Sequence, residues 1–358
     1  MAVEHDARRG RLAAMIRARG IATALVTDLV NVRYLTGFTG SNGAVGVAAD
    51  GTAVLVTDGR YQDQARAEAP DVQIEVDRDL LGTLSARLGG ATRVGVETHA
   101  LSVDEHERLV SALDGVEVAS LRRAVEELRV VKDEVELDAL RVACRVSTEA
   151  LAGLLEGPLV GRTERAVARD LEWRMYEAGA EAIAFDTIVA SGPNSAIPHH
   201  DPTERVLETG DLLKIDFGAR VDGYHADCTR TVVLGRADAW QREIHDAVRE
   251  AQALGVEGCR EGRQTDEVDA DVRGSLADAG WLEHFTTGLG HGVGLRIHED
   301  PFLSSPSPAR LDRRTALTVE PGIYVPGRGG VRIEDTLVVT DGQPELLTVA
   351  TTELLELA

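Results

Sequence analysis

Lysine is nearly missing from this 358-residue chain: Lys132 and Lys214 are the only two among 38 basic residues, and the rest are arginine. That imbalance reads as nucleotide composition rather than function. Basic charge as a whole is outweighed, 38 Lys and Arg against 60 Asp and Glu, for a formal net charge of −22. Phosphate backbones are gripped by clustered Lys and Arg, so such a surface argues against nucleic acid as a partner and serves solubility instead. Cysteine is scarce too. Cys144, Cys228 and Cys259 are odd in number and show no C-x-x-C spacing, which argues against a disulfide framework or structural zinc and for a reducing, cytoplasmic compartment. No apolar run approaches the roughly 18 residues of a membrane span, so no membrane partner is expected. The first 19 residues mix Glu4, Asp6 and several Arg without the apolar core of a secretory signal.

Several familiar motifs are also absent. No Gly precedes a Lys, which removes the P-loop. The glycine-rich run from Gly288 to Gly294 does not fit G-x-G-x-x-G. His298-Glu299-Asp300-Pro301-Phe302 begins like H-E-x-x-H and fails at Phe302, and there is no G-x-S-x-G elbow.

What is present is ordinary globular material, 43% hydrophobic and 27% charged, long enough for about two domains. The first third alternates strand and helix signals: a helix over 11–19, a strand over 22–27, and a hairpin of 44–47 with 52–56 around Ala49-Asp50-Gly51. A helix over 61–69, strands at 72–76 and 93–96, and a helix around 80–88 complete a mixed α/β domain ending near residue 120. From Arg122 to about Glu156 the chain turns rich in Glu, Arg, Leu and Ala. Leu137, Leu140, Cys144, Ser147, Leu151 and Leu154 recur at three- and four-residue steps, one face of a long helix. A second helix over 163–178 opens on a Thr163 cap. Strand signals follow from Ile183 to Leu234, then helices over 239–257 and 264–279, then strands to the end.

The chemistry lies in acids placed where acids are awkward. Asp216 sits inside the apolar strand Leu212-Leu213-Lys214-Ile215-Asp216-Phe217, and the strand returning after Asp222-Gly223 carries Asp227. Depending on where the turn centres, Asp216 faces Asp227 directly or faces Thr229 with Asp227 diagonal; both registers put the two carboxylates on one face. Glu320 ends the apolar run Ala316–Val319, and Glu334 stands in Val331–Val339, with their register left open by the loop 326–330. His291 lies among alternating glycines, which let a backbone approach a ligand closely. Singly, an acid in a strand is usually a turn or edge residue, and Asp222, Glu299 and Asp335 are read that way. His245 and His284 are read as packing or surface residues. Four acids in apolar strands with a glycine-flanked His are better read together, because buried carboxylates are costly unless paired or metal-bound. Four carboxylates and an imidazole form a hard, oxygen-rich set that matches two divalent ions. Two ions about 3.5–4 Å apart activate a shared water near neutral pH, so hydrolysis is the simplest chemistry.

The series Asp216, Asp227, His291, Glu320 and Glu334, with Ser191-Gly192-Pro193-Asn194-Ser195-Ala196-Ile197-Pro198-His199 upstream, resembles the pita-bread metallopeptidases. That group includes aminopeptidase P, prolidase and methionine aminopeptidase. Asn31-Val32-Arg33-Tyr34-Leu35-Thr36-Gly37-Phe38 and Leu128-Arg129-Val130-Val131-Lys132 resemble the creatinase-type N-terminal domain and its junction. The resemblance implies a creatinase-like α/β domain over 1–122 and an α+β pita-bread catalytic domain over 123–358. It implies two metal ions held by Asp216, Asp227, His291, Glu320 and Glu334, manganese ahead of cobalt, iron or zinc. Glu320 is implied as general base, and His199 and His298 as catalytic and substrate-contacting histidines. His199 is preferred over its neighbour His200. Arg332 and Arg296 are nearby in sequence as substrate-binding candidates for a carboxylate, with orientation of the Glu334 region as the alternative role of Arg332. The implied substrates are proline-containing peptides cut between an N-terminal residue and a following proline, in a cytoplasmic homodimer. An Xaa-Pro dipeptidase is the alternative. The lean is toward the aminopeptidase, because Glu299-Asp300-Pro301-Phe302 offers no Arg after His298 for a dipeptide carboxylate. A metal-free creatinase-like amidinohydrolase and a non-enzymatic pita-bread binding protein are the more distant alternatives.

Overall fold

A computed structural model describes residues 2–88, 90–304 and 308–358 of the chain. Two compact units emerge, Met1–Arg129 and Val130–Ala358. The expected α/β first domain and α+β second domain are both found.

In the first unit the hairpin anticipated around Asp50-Gly51 pairs Gly43–Ala48 with Ala53–Thr57. It lies inside a six-stranded mixed sheet of order Gln73–Val76, Ala53–Thr57, Gly43–Ala48, Thr23–Val26, Arg93–Val96, Glu117–Ser120. Leu25, Val56, Val94 and Val96 pack beneath Leu84 and Leu109. The N-terminal helix runs over Ala2–Ala18, longer than the 11–19 segment expected. Two helices, Leu29–Thr36 and Val103–Ala112, were not anticipated. The first holds Val30, Val32 and Thr36, whose branched side chains favour strands, yet Asp28 caps it by accepting from the Val30 amide and Gly37 closes it in the left-handed conformation at φ 82°. The unit border at 129/130 lies beyond the composition shift at 122 because Glu126 and Arg129 both bond Asn31 of that helix, at 2.9 and 2.8 Å.

The second unit begins with Glu134–Leu155, separated from a short helix Ala124–Val130 by a capping box of Asp133 and Glu136. All six periodic positions from Leu137 to Leu154 are buried. With Glu164–Glu177 this helix covers a four-stranded sheet of order Glu356–Leu357, Cys228–Leu234, Leu212–Phe217, Ile188–Ser191. Leu151, Leu154, Val167 and Leu171 meet Leu213, Ile215, Phe217 and Val232 there. Helices Ala239–Gly258 and Thr265–Asp278 cover a second group of strands, Val248, Val268 and Val272 against Leu317, Val319 and Leu337. Its five-stranded sheet runs Glu299–Phe302, His291–Gly292, Ala316–Val319, Asp335–Val338, Glu345–Leu346. The two strand systems join where the Glu334 amide donates to the Thr229 carbonyl, 3.1 Å. No helix among the described residues is long and apolar enough to cross a membrane.

Candidate metal centre

Leu212–Phe217 and Cys228–Leu234 pair antiparallel with Asp216 opposite Thr229. The hairpin turns at Asp222-Gly223, whose φ values of 49° and 81° are those a two-residue type I′ turn demands. Of the two registers open in the sequence, this is the one that makes Asp227 diagonal to Asp216. The ladder parts at Gly218, where a Cβ would stand 1.9 Å from the Ala226 carbonyl oxygen. Asp227 is therefore released just ahead of the strand rather than standing inside it. Side-chain alternation turns Cys228 the other way, into the core with Phe217 and Leu213.

The second pair of acids has its own logic. Val319 pairs with Asp335, and Gly322 with Arg332, so both ladders share one register. It is interrupted between them at Glu320-Pro321 and Ile333-Glu334, and sets Glu320 across from Glu334. Thr229 Oγ1 donates to Glu334 Oε2 at 2.7 Å, drawing this pair onto the first. His291 enters from the neighbouring strand. A Cβ on Gly290 would meet the Thr318 carbonyl oxygen at 2.0 Å, which explains the glycine beside it.

The five residues converge. Ligand atoms of Asp227, His291 and Glu334 all lie within 4.8 Å of one another. His291 Nε2 is 3.5 Å from both Asp227 Oδ2 and Glu320 Oε1. Its Nδ1 donates to the Gly292 carbonyl at 3.0 Å, which leaves the Nε2 lone pair facing the acids. Asp216 Oδ1 and Glu334 Oε1 are buried with no hydrogen-bond partner. Burial, then Glu334 and Asp216, push the Asp227 carboxyl far above the usual range; burial, then Glu320 and Asp216, do the same to Glu334. Burial raises Glu320 to about 7 and lowers His291 to about 4, His298 adding to the latter. Orphaned carboxylate oxygens and an imidazole poised as an acceptor are a donor set that divalent cations fit. Another group, Asp28, His99 and Glu126, lies in the first unit; there Glu126 is bonded by His99 at 2.7 Å and by Asn31.

A cavity of about 230 Å³ opens over the centre, lined by the acids and His291 and also by His199, His200 and His298. The rings of His291 and His298 meet edge to face, 4.3 Å between centroids. His199 is exposed, whereas His200 is buried and its Nε2 lies 2.9 Å from Glu164 Oε2. Arg332 departs from the substrate-binding role expected of it. It is buried behind the carboxylates and does not line the cavity: it bonds Asp216, the Tyr324 hydroxyl at 2.9 Å, the Pro198 carbonyl at 3.2 Å and Thr229 Oγ1 at 2.9 Å. A guanidinium so committed orients Asp216 rather than a substrate.

Other supporting groups gave no sign in the sequence. Glu164, fully buried, accepts from the Ser191 amide and hydroxyl, Asn194, His200 and the Thr203 amide and hydroxyl, so it organises the segment carrying His199. Burial raises its carboxyl, but those hydrogen bonds outweigh burial and hold it at about 2. Burial and Arg332 push the Lys214 amine down to about 6. Asp335 and Glu299, read as turn or edge acids, are buried and paired with Arg230 at 2.6 Å and Lys132 at 2.8 Å. Only a position in the first turn of a helix marked Glu164, and that is an ordinary place for an acid.

The family model described as metallopeptidase family M24 matches residues 138–341, and that of the creatinase/prolidase N-terminal domain matches residues 8–131. An Xaa-Pro dipeptidase of Pyrococcus horikoshii is 34% identical over 94% of this chain and 95% of its own. The solved structure of an Xaa-Pro dipeptidase from Bacillus anthracis, 36% identical, superposes with a TM-score of 0.94 over 100% of both chains. An X-Pro aminopeptidase from Thermotoga maritima, 33% identical, superposes with 0.91 over 98% of this chain and 99% of that one.

Proposed function

The chain belongs to metallopeptidase family M24 and carries a creatinase/prolidase N-terminal domain, and on that premise we propose that it hydrolyses the peptide bond between an N-terminal residue and a following proline. The observation that carries the reading is the convergence of Asp227, His291 and Glu334, with Glu320 3.5 Å from His291, beneath a cavity that His199 and His298 also line. The family implies a dinuclear divalent-metal site. Asp216, Asp227, His291, Glu320 and Glu334 are its proposed ligands, and the hard oxygen-rich set favours manganese, with cobalt, iron or zinc as alternatives. When bound, such ions supply Lewis acidity and an activated water at neutral pH.

The chain's own groups would do the rest. Glu320 is the least enclosed of the four acids, at 19% side-chain exposure, and it lines the cavity, a place from which its carboxylate would take the proton of the attacking water. His298, its imidazole lowered by burial and His199, and His199 would donate to the developing oxyanion and to the departing proline nitrogen. Ile188, Ile297 and Phe185 give the cavity an apolar flank that suits a pyrrolidine ring. The names of the relatives favour Xaa-Pro dipeptides as substrates. Longer peptides are the second reading, because exposed Asp186 and Asp201 on the cavity wall attract an N-terminal ammonium and repel a free dipeptide carboxylate. A homodimer in the cytoplasm is proposed with it, the three free cysteines supporting a reducing compartment.

Manganese-loaded protein incubated with Ala-Pro and with Ala-Pro-Ala, alongside a chelator control, tests the reading. Chelator-sensitive release of alanine supports it, and the ratio of the two rates decides the subclass. Full metal content and activity in Asp227→Asn would refute the ligand assignment.

A further inference from the structure

A chain that writes nearly every cation as arginine keeps lysine at two places, and both side chains are buried, Lys132 at 1% exposure and Lys214 at 0%. A compositional drift would leave its residual lysines on the surface, where either cation serves. An amino group and a guanidinium are not interchangeable in a confined space, since the first is a compact head with freely rotating donors and the second a wide planar fork.

What each amino group holds is the stretch of chain beside a cavity histidine. Lys214 Nζ donates to the Ile197 carbonyl at 2.5 Å and the Pro198 carbonyl at 3.2 Å, the two peptide units that lead into His199. The Tyr324 ring lies 5.0 Å beneath it, and Arg332 donates to the same Pro198 carbonyl from the other side. Lys132 Nζ donates to Glu299 Oε1 at 2.8 Å, one residue beyond His298. Room for that pair comes from Gly294, where a Cβ would stand 2.4 Å from Glu299 Oε1 and 3.3 Å from Lys132 Cε. The Gly294 carbonyl in turn takes the His225 amide at 2.9 Å, so the span from His291 to His298 is tied down at its middle and its end.

We propose that Lys132 and Lys214 are a matched pair of positioning residues, Lys214 setting the segment that presents His199 and Lys132 the segment that presents His298. The assignment rests on the reading of those histidines as substrate-facing groups. Lys214→Met removes the donor and leaves no buried charge behind. Lys132→Met leaves Glu299 without its lysine, so Lys132→Met/Glu299→Gln is the companion variant.

The test measures kcat and KM of the manganese-loaded full chain on Ala-Pro and Ala-Pro-Ala, for each lysine variant alone and combined with His199→Ala or His298→Ala. Metal content and Tm are read in parallel. Each lysine variant is expected to lower kcat/KM by about tenfold or more with metal content unchanged. Lys214→Met should change activity by no more than about twofold once His199 is gone, yet keep its full effect beside His298→Ala, and Lys132→Met should behave conversely. Lys132→Met/Glu299→Gln should recover Tm without recovering activity. Independently of turnover, imidazole NMR spectra of the metal-free chain should move most for His199 in the first variant and most for His298 in the second. Effects that multiply with both histidine deletions, unmoved imidazole signals, or full activity in the Lys132/Glu299 double variant would each overturn the proposal. If the unsubstituted enzyme cleaves neither peptide, the peptidase reading fails and the NMR arm still decides this one.

Discussion

Replacing Glu320 by Gln should stabilise the metal-free protein at high pH and cripple the metal-loaded one. Burial holds the Glu320 carboxyl at about 7 in the folded chain against an ordinary 4.5. The folded state therefore keeps a proton that the unfolded state has released, and stability falls as pH rises from about 4.5 through about 7. The difference integrates to roughly 3 kcal/mol by pH 8 and to under about 1 kcal/mol at pH 5. Gln removes that penalty and keeps the shape. Titrating groups away from Glu320, such as His245, which burial lowers to about 4, contribute to both proteins and cancel in the difference, whereas Glu334, which Glu320 helps to push up, is relieved by the substitution and adds in the same direction. The assay is thermal unfolding in chelator from pH 5 to pH 8. Metal-free Glu320→Gln should match the unsubstituted chain at pH 5 to within a degree or two and exceed it by about 5–10 °C at pH 8. With manganese the order should reverse, because the ion needs the ionised carboxylate. A metal-free difference that stays flat with pH, or that favours Glu320 at pH 8, would refute the claim that these acids are held together against their own charge.

Three further outcomes are expected. Gly290→Ala puts a Cβ 2.0 Å from the Thr318 carbonyl oxygen and should displace His291, so bound metal measured by elemental analysis should drop below one equivalent per chain; retention of a full complement would refute the close-approach argument. Glu164→Gln keeps the volume but turns an acceptor of several hydrogen bonds into a mixed group facing other donors. It should cost about 2–4 kcal/mol in urea unfolding and lower activity through the His199 segment, whereas an unchanged midpoint would contradict the role given to Glu164. Cys144, Cys228 and Cys259 are all buried with their thiols pushed up by burial, Cys259 to about 12. A thiol reagent at pH 8 should therefore modify none of them in the native protein and all three in denaturant, and rapid native labelling of Cys228 would show that it faces the cavity instead of the core.

The long helices of the second unit were legible because each carries its own complete signal. Glu134–Leu155 buries every one of the apolar positions that its periodicity marked, and Glu164–Glu177 starts at the Thr163 cap. Leu29–Thr36 shows the limit. Its residues favour a strand, and the two features that make it a helix, the Asp28 cap and the left-handed Gly37, flank a segment whose burial against the N-terminal helix is what tips the balance. Register was half legible. Alternation alone put Asp216 and Asp227 on one face, but the parting of the strands at Gly218 depends on the Ala226 carbonyl, a contact that no local pattern encodes.

The same distinction separates the candidate ligands from the groups that support them. Asp216, Asp227, Glu320 and Glu334 break a local rule, an acid in or against an apolar strand, and a broken rule stands out in a sequence. Glu164, Lys214, Lys132 and Arg332 break none. An acid in the first turn of a helix is commonplace, and so are a basic residue along a strand, as with Lys214 and Arg332, and one just ahead of a helix cap, as with Lys132. Their meaning lies in partners 27 residues away for Glu164 and Ser191, 167 for Lys132 and Glu299, and 116 for Arg332 and Asp216. The sequence leaves Arg332 open between a substrate contact and a partner of the Glu334 region for the same reason, since nothing in Val331-Arg332-Ile333 reveals that a strand 116 residues earlier claims its guanidinium. The scarcity of lysine was the one global trace of this layer. It told nothing while the two positions were unplaced, and became informative only when both proved buried beside the segments that present His199 and His298.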